Sequence, residues 1–169
     1  MFYRRSTELA IQAAALLALE PHGTPRRVRD LAAAMKVPAT YLTKILQQLT
    51  RVGLLQSVRG PGGGVQLARP PQEIKLWDVM TAAQPLADFE RCFLGLGKCN
   101  DIEPCPVHNV WGPVRKSVLE SFQTITLWEV AQSATRKDFL GPNPKGNAKG
   151  PSAGQSLPLN EPGITLARR

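Results

Sequence analysis

The chain has 169 residues, of which 43% are hydrophobic, enough for one cored domain with extensions, and no apolar run is long enough to span a bilayer. Its net charge of +8 is unevenly placed: residues 1–87 carry eleven Lys and Arg against five Asp and Glu, residues 88–135 four against six, and residues 136–169 six against two. A basic front half argues for a polyanionic partner such as nucleic acid, with solubility as the plain alternative, and the opening Met1-Phe2-Tyr3-Arg4-Arg5-Ser6-Thr7-Glu8 lacks the form of an export signal, so a cytoplasmic location is expected.

Leu9, Ala13, Leu16 and Leu17 recur at helical spacing and predict an amphipathic helix from about residue 4 to 20, ended by Pro21-His22-Gly23. A short helix over Arg29–Lys36 buries Leu31 and Met35, and Val37-Pro38 breaks it. The next helix, Pro38–Val52, has Leu42, Ile45, Leu46 and Leu49 as its core stripe and Gly53 as its stop. Its opposite face presents Thr40, Lys44, Gln47 and Arg51, with two cations and no carboxylate. Two helices joined by a short break, the second with such a face, match a helix-turn-helix; an ordinary solvated face is the bland reading.

The following segment weighs against that bland reading. Leu54–Val58 and Val65–Leu67 read as two strands around Arg59-Gly60-Pro61-Gly62-Gly63-Gly64, a hairpin whose tip tolerates positive φ. Glycines also let backbone N–H groups approach phosphate, and Arg59 stands at the base of the tip. The run is no Walker A loop, because the terminal Lys-Ser/Thr is missing.

Ile74–Ala83 predicts another short helix, ended by Pro85. Asp88–His108 is loop-like. Val110–Ile125 repeats Trp111, Val114, Val118, Phe122 and Ile125 at three- and four-residue steps, a long amphipathic helix with Pro113 in its first turn. Thr126-Leu127-Trp128-Glu129 has capping-box form and starts a further short helix. Residues 136–169, rich in Gly, Pro, Asn, Ser and Lys, read as a disordered basic tail.

Within the loop, Cys92, Cys99, Cys105 and His108 read C-x6-C-x5-C-x2-H. Thiolates are soft ligands, suited to iron–sulfur clusters, zinc and copper(I), and an odd, clustered set favours ligation over a disulfide framework. Gly95, Gly97 and Pro104 can shape the loop around a metal core, and Lys98 can offset its negative charge. A Cys3His zinc site, an iron–sulfur cluster with a non-cysteine fourth ligand, and unmetallated redox thiols remain open at this point; spacing alone leaves the first two about even. No serine has a nucleophile motif and His22 is a lone turn histidine, so an enzyme is not expected.

Tyr41-Leu42-Thr43-Lys44-Ile45-Leu46, Gly53-Leu54-Leu55, Ser57-Val58-Arg59-Gly60-Pro61-Gly62-Gly63-Gly64, Leu67-Ala68-Arg69, then Cys92, Cys99, Cys105-Pro106 and Trp111 closely resemble the iron–sulfur winged-helix transcription regulators, a family with IscR-type and NsrR-type members. The resemblance spans about residues 1–134. It implies a mainly α fold with a small β-wing, organised as a winged helix-turn-helix over 1–84, a cluster-binding loop over 85–109, and a dimerisation helix with a short C-terminal helix over 110–135.

It further implies a homodimer on double-stranded DNA, most often a repressor, with no membrane partner and with redox, nitric oxide or iron status as the class of signal. DNA contacts are expected from Thr40, Tyr41, Thr43, Lys44, Arg59, Gly62 and Gly63, and Cys92, Cys99 and Cys105 are expected to hold an iron–sulfur cluster in place of zinc. IscR-type members take the fourth ligand from a histidine shortly after the third cysteine, which is His108 here. NsrR-type members take it from an acid on the first helix of the other subunit, the place Glu8 occupies. Glu8 is the expected choice, because the first helix would then tie cluster state to the dimer interface. A zinc-stabilised nucleic-acid-binding or structural module is the alternative. The chain departs from the pattern in three places. Six residues separate Cys92 from Cys99 where five is common, which leaves [2Fe–2S] and [4Fe–4S] both open; Val65 replaces the usual aromatic; and Thr43 stands where IscR-type members carry a specificity-setting acid.

Overall fold

Helix α1 (Arg5–Ala18) forms the spine of the fold, with Leu9, Ala10 and every residue from 13 to 18 buried. Alanine at five of those positions keeps the helix surface shallow, so that neighbouring helices and the β-hairpin pack closely against it. The computed structural model describes residues 3–133; the tail expected over 136–169 lies outside the described residues. The remaining elements are α2 (Val28–Met35), α3 (Ala39–Arg51), β1 (Leu55–Val58), β2 (Gly64–Leu67), α4 (Leu76–Ala83), α5 (His108–Thr124) and α6 (Leu127–Ser133). Short 3-10 turns cover Pro71–Glu73 and Leu86–Glu90.

The main core joins Leu9, Leu31, Leu42, Leu46 and Leu49 to Leu54, Leu55, Val65 and Leu67 of the hairpin and to Leu127 of α6. The α3 stripe expected from the sequence, Leu42, Ile45, Leu46 and Leu49, is buried as a unit. Pro38 is the N-cap of α3, and Lys36 closes α2 in the left-handed region at φ 54°, which produces the sharp turn between the two helices. β1 and β2 pair antiparallel with Leu55 opposite Leu67 and Val58 opposite Gly64. Arg26 adds a bridge to Val65 on the free side of β2, so the wing is fastened to the segment leading into α2.

A second cluster gathers Leu76, Met80 and Phe89 with Trp77, Leu119, Phe122 and Ile125. It packs α4 against the C-terminal half of α5 and seats the turn that leads into the cysteine loop. The Phe89 ring lies 4.9 Å from that of Trp77.

Two local expectations need correction. The helix predicted from Ile74 begins at Leu76, because Lys75 bridges to Thr126 and holds the preceding residues extended; the Leu76 N–H reaches the Ile125 carbonyl at 2.9 Å and the Leu127 N–H the Ile74 carbonyl at 2.8 Å. The long helix begins at His108, two residues before Val110, so Pro113 lies inside the helix and not in its first turn. That proline removes one intrahelical N–H, a loss the opening turn would not have felt. The capping box at Thr126 and Glu129 forms as its sequence implies, with the Thr126 N–H and hydroxyl both 2.7 Å from Glu129 Oε2. No described helix is long and apolar enough to cross a membrane.

Candidate DNA interface and metal centre

Thr40, Tyr41 and Lys44 stand exposed at the N-terminal end of α3, with Gln47 and Arg51 continuing the same face. Thr43 is half-buried, and its hydroxyl donates to the Ala39 carbonyl at 2.7 Å, so its donor is spent within the helix. Arg59 is exposed at the wing. None of Lys44, Arg51 and Arg59 is drawn into an ion pair among the described residues, which leaves three cations and no carboxylate across this face.

The wing tip owes its shape to glycine at named places. Gly60 and Gly62 take φ of 99° and 84°. A Cβ on Gly63 would lie 2.2 Å from the Val58 carbonyl oxygen, and one on Gly64 2.1 Å from that of Arg26. The first pair needs conformational freedom and the second needs bare backbone. The residues expected at DNA thus lie on the exposed part of two adjacent elements, α3 and the hairpin, packed together through Leu49, Leu54 and Leu55.

The cysteine loop is a closed hairpin. Arg91 bridges to Lys98; the Cys92 N–H donates to the Gly97 carbonyl at 2.8 Å, and the Cys99 N–H to that of Glu90 at 2.8 Å. Gly95 at φ 77° and Gly97 at φ 102° make the reversal possible. Lys98, expected to offset cluster charge, stands in this hairpin paired with Glu90 at 2.9 Å. The first turn of α5 returns to the loop, with the His108 N–H on the Cys105 carbonyl at 2.9 Å.

These folds bring four donor side chains together in two pairs. Cys92 Sγ lies 3.4 Å from Cys105 Sγ, and Cys99 Sγ lies 3.3 Å from His108 Nδ1. Among the described residues, no three Cys, His, Asp or Glu side chains converge as a ready-made site for one metal ion. The donor chemistry nevertheless suits a soft metal group. The backbone N–H of Leu94 holds the Cys92 thiol below its ordinary value, helped by Cys105 and the N–H groups of Leu96 and Gly95 and opposed by burial. Burial first, then the neighbouring Cys92, pushes Cys105 up, against the pull of the Val107 N–H. A loop whose amides point at sulfur stabilises thiolate charge, the form that ligates.

Glu8 lies elsewhere in the chain, on α1, where its carboxylate is paired with Arg5 and takes a 3.4 Å contact from Gln12. Asp101 was not singled out by sequence reasoning, yet its Oδ1 is 2.7 Å from His108 Nε2. An exposed loop acid carries no periodic or motif signal; its only clue was a place between the second and third cysteines.

Comparison with known proteins agrees with this geometry. The Rrf2 family, described as an iron-dependent transcriptional regulator, matches residues 3–133. A protein of Aquifex aeolicus assigned by name as an HTH-type transcriptional regulator is 30% identical over 129 residues, covering 75% of this chain and 89% of that one. The HTH-type transcriptional regulator IscR of Escherichia coli is 29% identical over 132 residues, covering 78% and 81%. Among solved structures, T. potens IscR superposes with a TM-score of 0.61 at 25% identity, over 85% of this chain and 92% of that one. CymR, the global cysteine regulator of B. subtilis, gives a TM-score of 0.67 at 21% identity over 78% and 97%, a likeness of fold. These relatives are transcriptional regulators, not enzymes. The chain belongs to the Rrf2 family and is a winged-helix, DNA-binding regulator of transcription similar to IscR.

Proposed function

We propose that the chain is a homodimeric repressor whose grip on DNA is set by an iron–sulfur cluster held by Cys92, Cys99, Cys105 and His108. The observation that carries this reading is the pairing of Cys92 with Cys105 at 3.4 Å and of Cys99 with His108 at 3.3 Å. Two ligand pairs suit a [2Fe–2S] core, which offers each of two irons two protein ligands, better than a [4Fe–4S] core with its four separate corners. When bound, the cluster supplies a centre that oxidants and nitric oxide alter. His108 is taken as the fourth ligand because its ring already lies against Cys99. Glu8, the choice expected from the NsrR-type members, needs a second subunit to bring it to the loop.

The second copy has a face to occupy. Along α5 only His108 is buried, while Val110 is 74% and Val114 49% exposed, and Phe93 and Leu96 of the loop are 66% and 70% exposed. Apolar exposure of this extent beside a long helix suits a symmetric helix-to-helix interface. The chain's own residues link loop and DNA face. Phe89 seats the loop on α4, and Arg4 at the start of α1 pairs with Asp88 at 2.7 Å. The Thr7 hydroxyl donates to Gln84 Oε1 at 2.6 Å, and α1 in turn packs on α3. A rearranged loop thereby moves α1 and α4, on which the recognition helix rests. Such regulation requires different DNA affinity in the two states.

The test is anaerobic purification with an absorbance spectrum, analysis for iron, sulfide and zinc, and DNA binding measured on dimeric protein with and without the cluster. Iron and sulfide together, with a change in affinity on cluster loss, support the reading. A colourless, zinc-loaded protein with unaltered DNA binding would replace it with the zinc-stabilised module. His108→Ala and Glu8→Ala spectra decide the fourth ligand.

A further inference from the structure

His108 is held from both ring nitrogens. Nδ1 lies 3.3 Å from Cys99 Sγ, and Nε2 lies 2.7 Å from Asp101 Oδ1. The ring is almost enclosed, with an 11% exposed side chain, whereas the Asp101 side chain is 97% exposed. A neutral imidazole carries its proton on one nitrogen and a lone pair on the other, and a carboxylate only accepts. The proton facing Asp101 is therefore on Nε2, which leaves the Nδ1 lone pair on the side of the cysteine sulfurs.

The surroundings of Asp101 are fixed as well. The side chain of Asn100 accepts the N–H groups of Ile102 and Glu103, each at 2.9 Å, so the turn that presents Asp101 has a set shape. Gly112 of α5 also borders the ring, where a Cβ would make ordinary contact at 3.4 Å from His108 Nε2. An exposed carboxylate on a histidine contributes little to folding. Its consequence falls on the histidine: which nitrogen is free, how the ring is oriented and how strongly it donates.

We propose that Asp101 is a positioning residue of the metal centre, holding Nε2–H of His108 so that the histidine ligates through Nδ1. The inference rests on the cluster reading above and adds to it the identity of the ligating atom and the residue that selects it. Asp101 touches no metal in this scheme; it acts only through His108.

The experiment compares wild type, Asp101→Ala and Asp101→Asn as full chains, reconstituted anaerobically with iron and sulfide. Three readouts are taken: pulsed EPR of the reduced protein with histidine ¹⁵N-labelled at Nδ1, the rate of cluster loss to a chelator, and thermal unfolding. The expected result is Nδ1 coupling in wild type, cluster loss about tenfold faster and altered coupling in Asp101→Ala, and near-complete rescue in Asp101→Asn, whose amide oxygen still accepts Nε2–H. Unfolding should be unchanged in both variants. Coupling through Nε2 in wild type, or an Asp101→Ala protein with wild-type coupling and lability, overturns the assignment. A wild type that holds its cluster without any histidine coupling also overturns it while leaving cluster sensing intact, whereas a wild type that takes up no iron defeats the functional reading itself.

Discussion

Gly64 stands so close to Arg26 that a Cβ on it would lie 2.1 Å from the Arg26 carbonyl oxygen. The same two segments exchange backbone hydrogen bonds, the Arg26 N–H to the Val65 carbonyl and the Val65 N–H to the Arg26 carbonyl, both at 2.9 Å. Gly64→Ala should therefore push the wing off the segment entering α2 and lower stability by about 1–3 kcal/mol, as overpacking does. Gly62→Ala meets open space and costs only the strain of its φ of 84°, roughly 1 kcal/mol. Thermal unfolding of the two variants checks this; equal losses would remove the close approach as the reason for glycine at 64.

Much of this arrangement was legible in the chain. The α3 stripe of Leu42, Ile45, Leu46 and Leu49 has a clear helical period, and the glycine run after Arg59 marks the hairpin without tertiary information. What stayed hidden depends on long-range partners. Ile74 looks helical until the Lys75–Thr126 bridge holds it extended. His108 looks like the end of a loop until Cys105 and Val107 supply carbonyls for the first turn of α5. The cysteines and histidine were visible as residue types, but their sorting into Cys92–Cys105 and Cys99–His108 follows from the hairpin and from the return of α5, which spacing does not encode.

The two paired thiols are expected to titrate apart in metal-free protein. The Leu94 N–H, with smaller help from Cys105, keeps Cys92 below the ordinary thiol value, and burial raises Cys105 above it. Thiolate is the reactive form, so the pH midpoint for alkylation should be lower for Cys92 than for Cys105. Midpoints are the relevant measure, since Cys92 is the more buried and its absolute rate is slowed by access. Mass spectrometry of samples alkylated across a pH series resolves the two, and coincident midpoints would contradict the different environments.

Glu129 links the short helix α6 to pH. The Thr126 hydroxyl, then the Thr126 N–H, and more weakly Lys75 hold its carboxyl below the usual carboxylate value. A carboxylate whose folded-state value is depressed contributes stability above its unfolded value and loses it as pH falls through the folded value. The stability gap between wild type and Glu129→Gln should accordingly be full near about pH 7 and shrink under acid conditions, below roughly pH 4. Chemical unfolding across that range measures it, and a gap independent of pH would mean that the capping contact does not depend on the charge of Glu129.

Lys44 and Arg59 are both exposed cations without an ion-pair partner among the described residues, yet they lie on different elements and should fail differently. Lys44 is on α3, one turn beyond Thr40, where a side chain inserted into the major groove reaches base edges. Arg59 is at the wing, where neighbouring backbone phosphate is the nearer target. Replacing a phosphate contact weakens all sequences alike and removes one released counterion, so Arg59→Ala should reduce the slope of log affinity against log salt by about one unit. Lys44→Ala should instead change the ranking of operator variants, by about 1–3 kcal/mol at the base pair it reads. Binding titrations at several salt concentrations on a small operator library separate the two effects. An Arg59→Ala protein with the wild-type slope would place that residue outside the interface, and a Lys44→Ala protein with uniform weakening would move Lys44 from bases to phosphate.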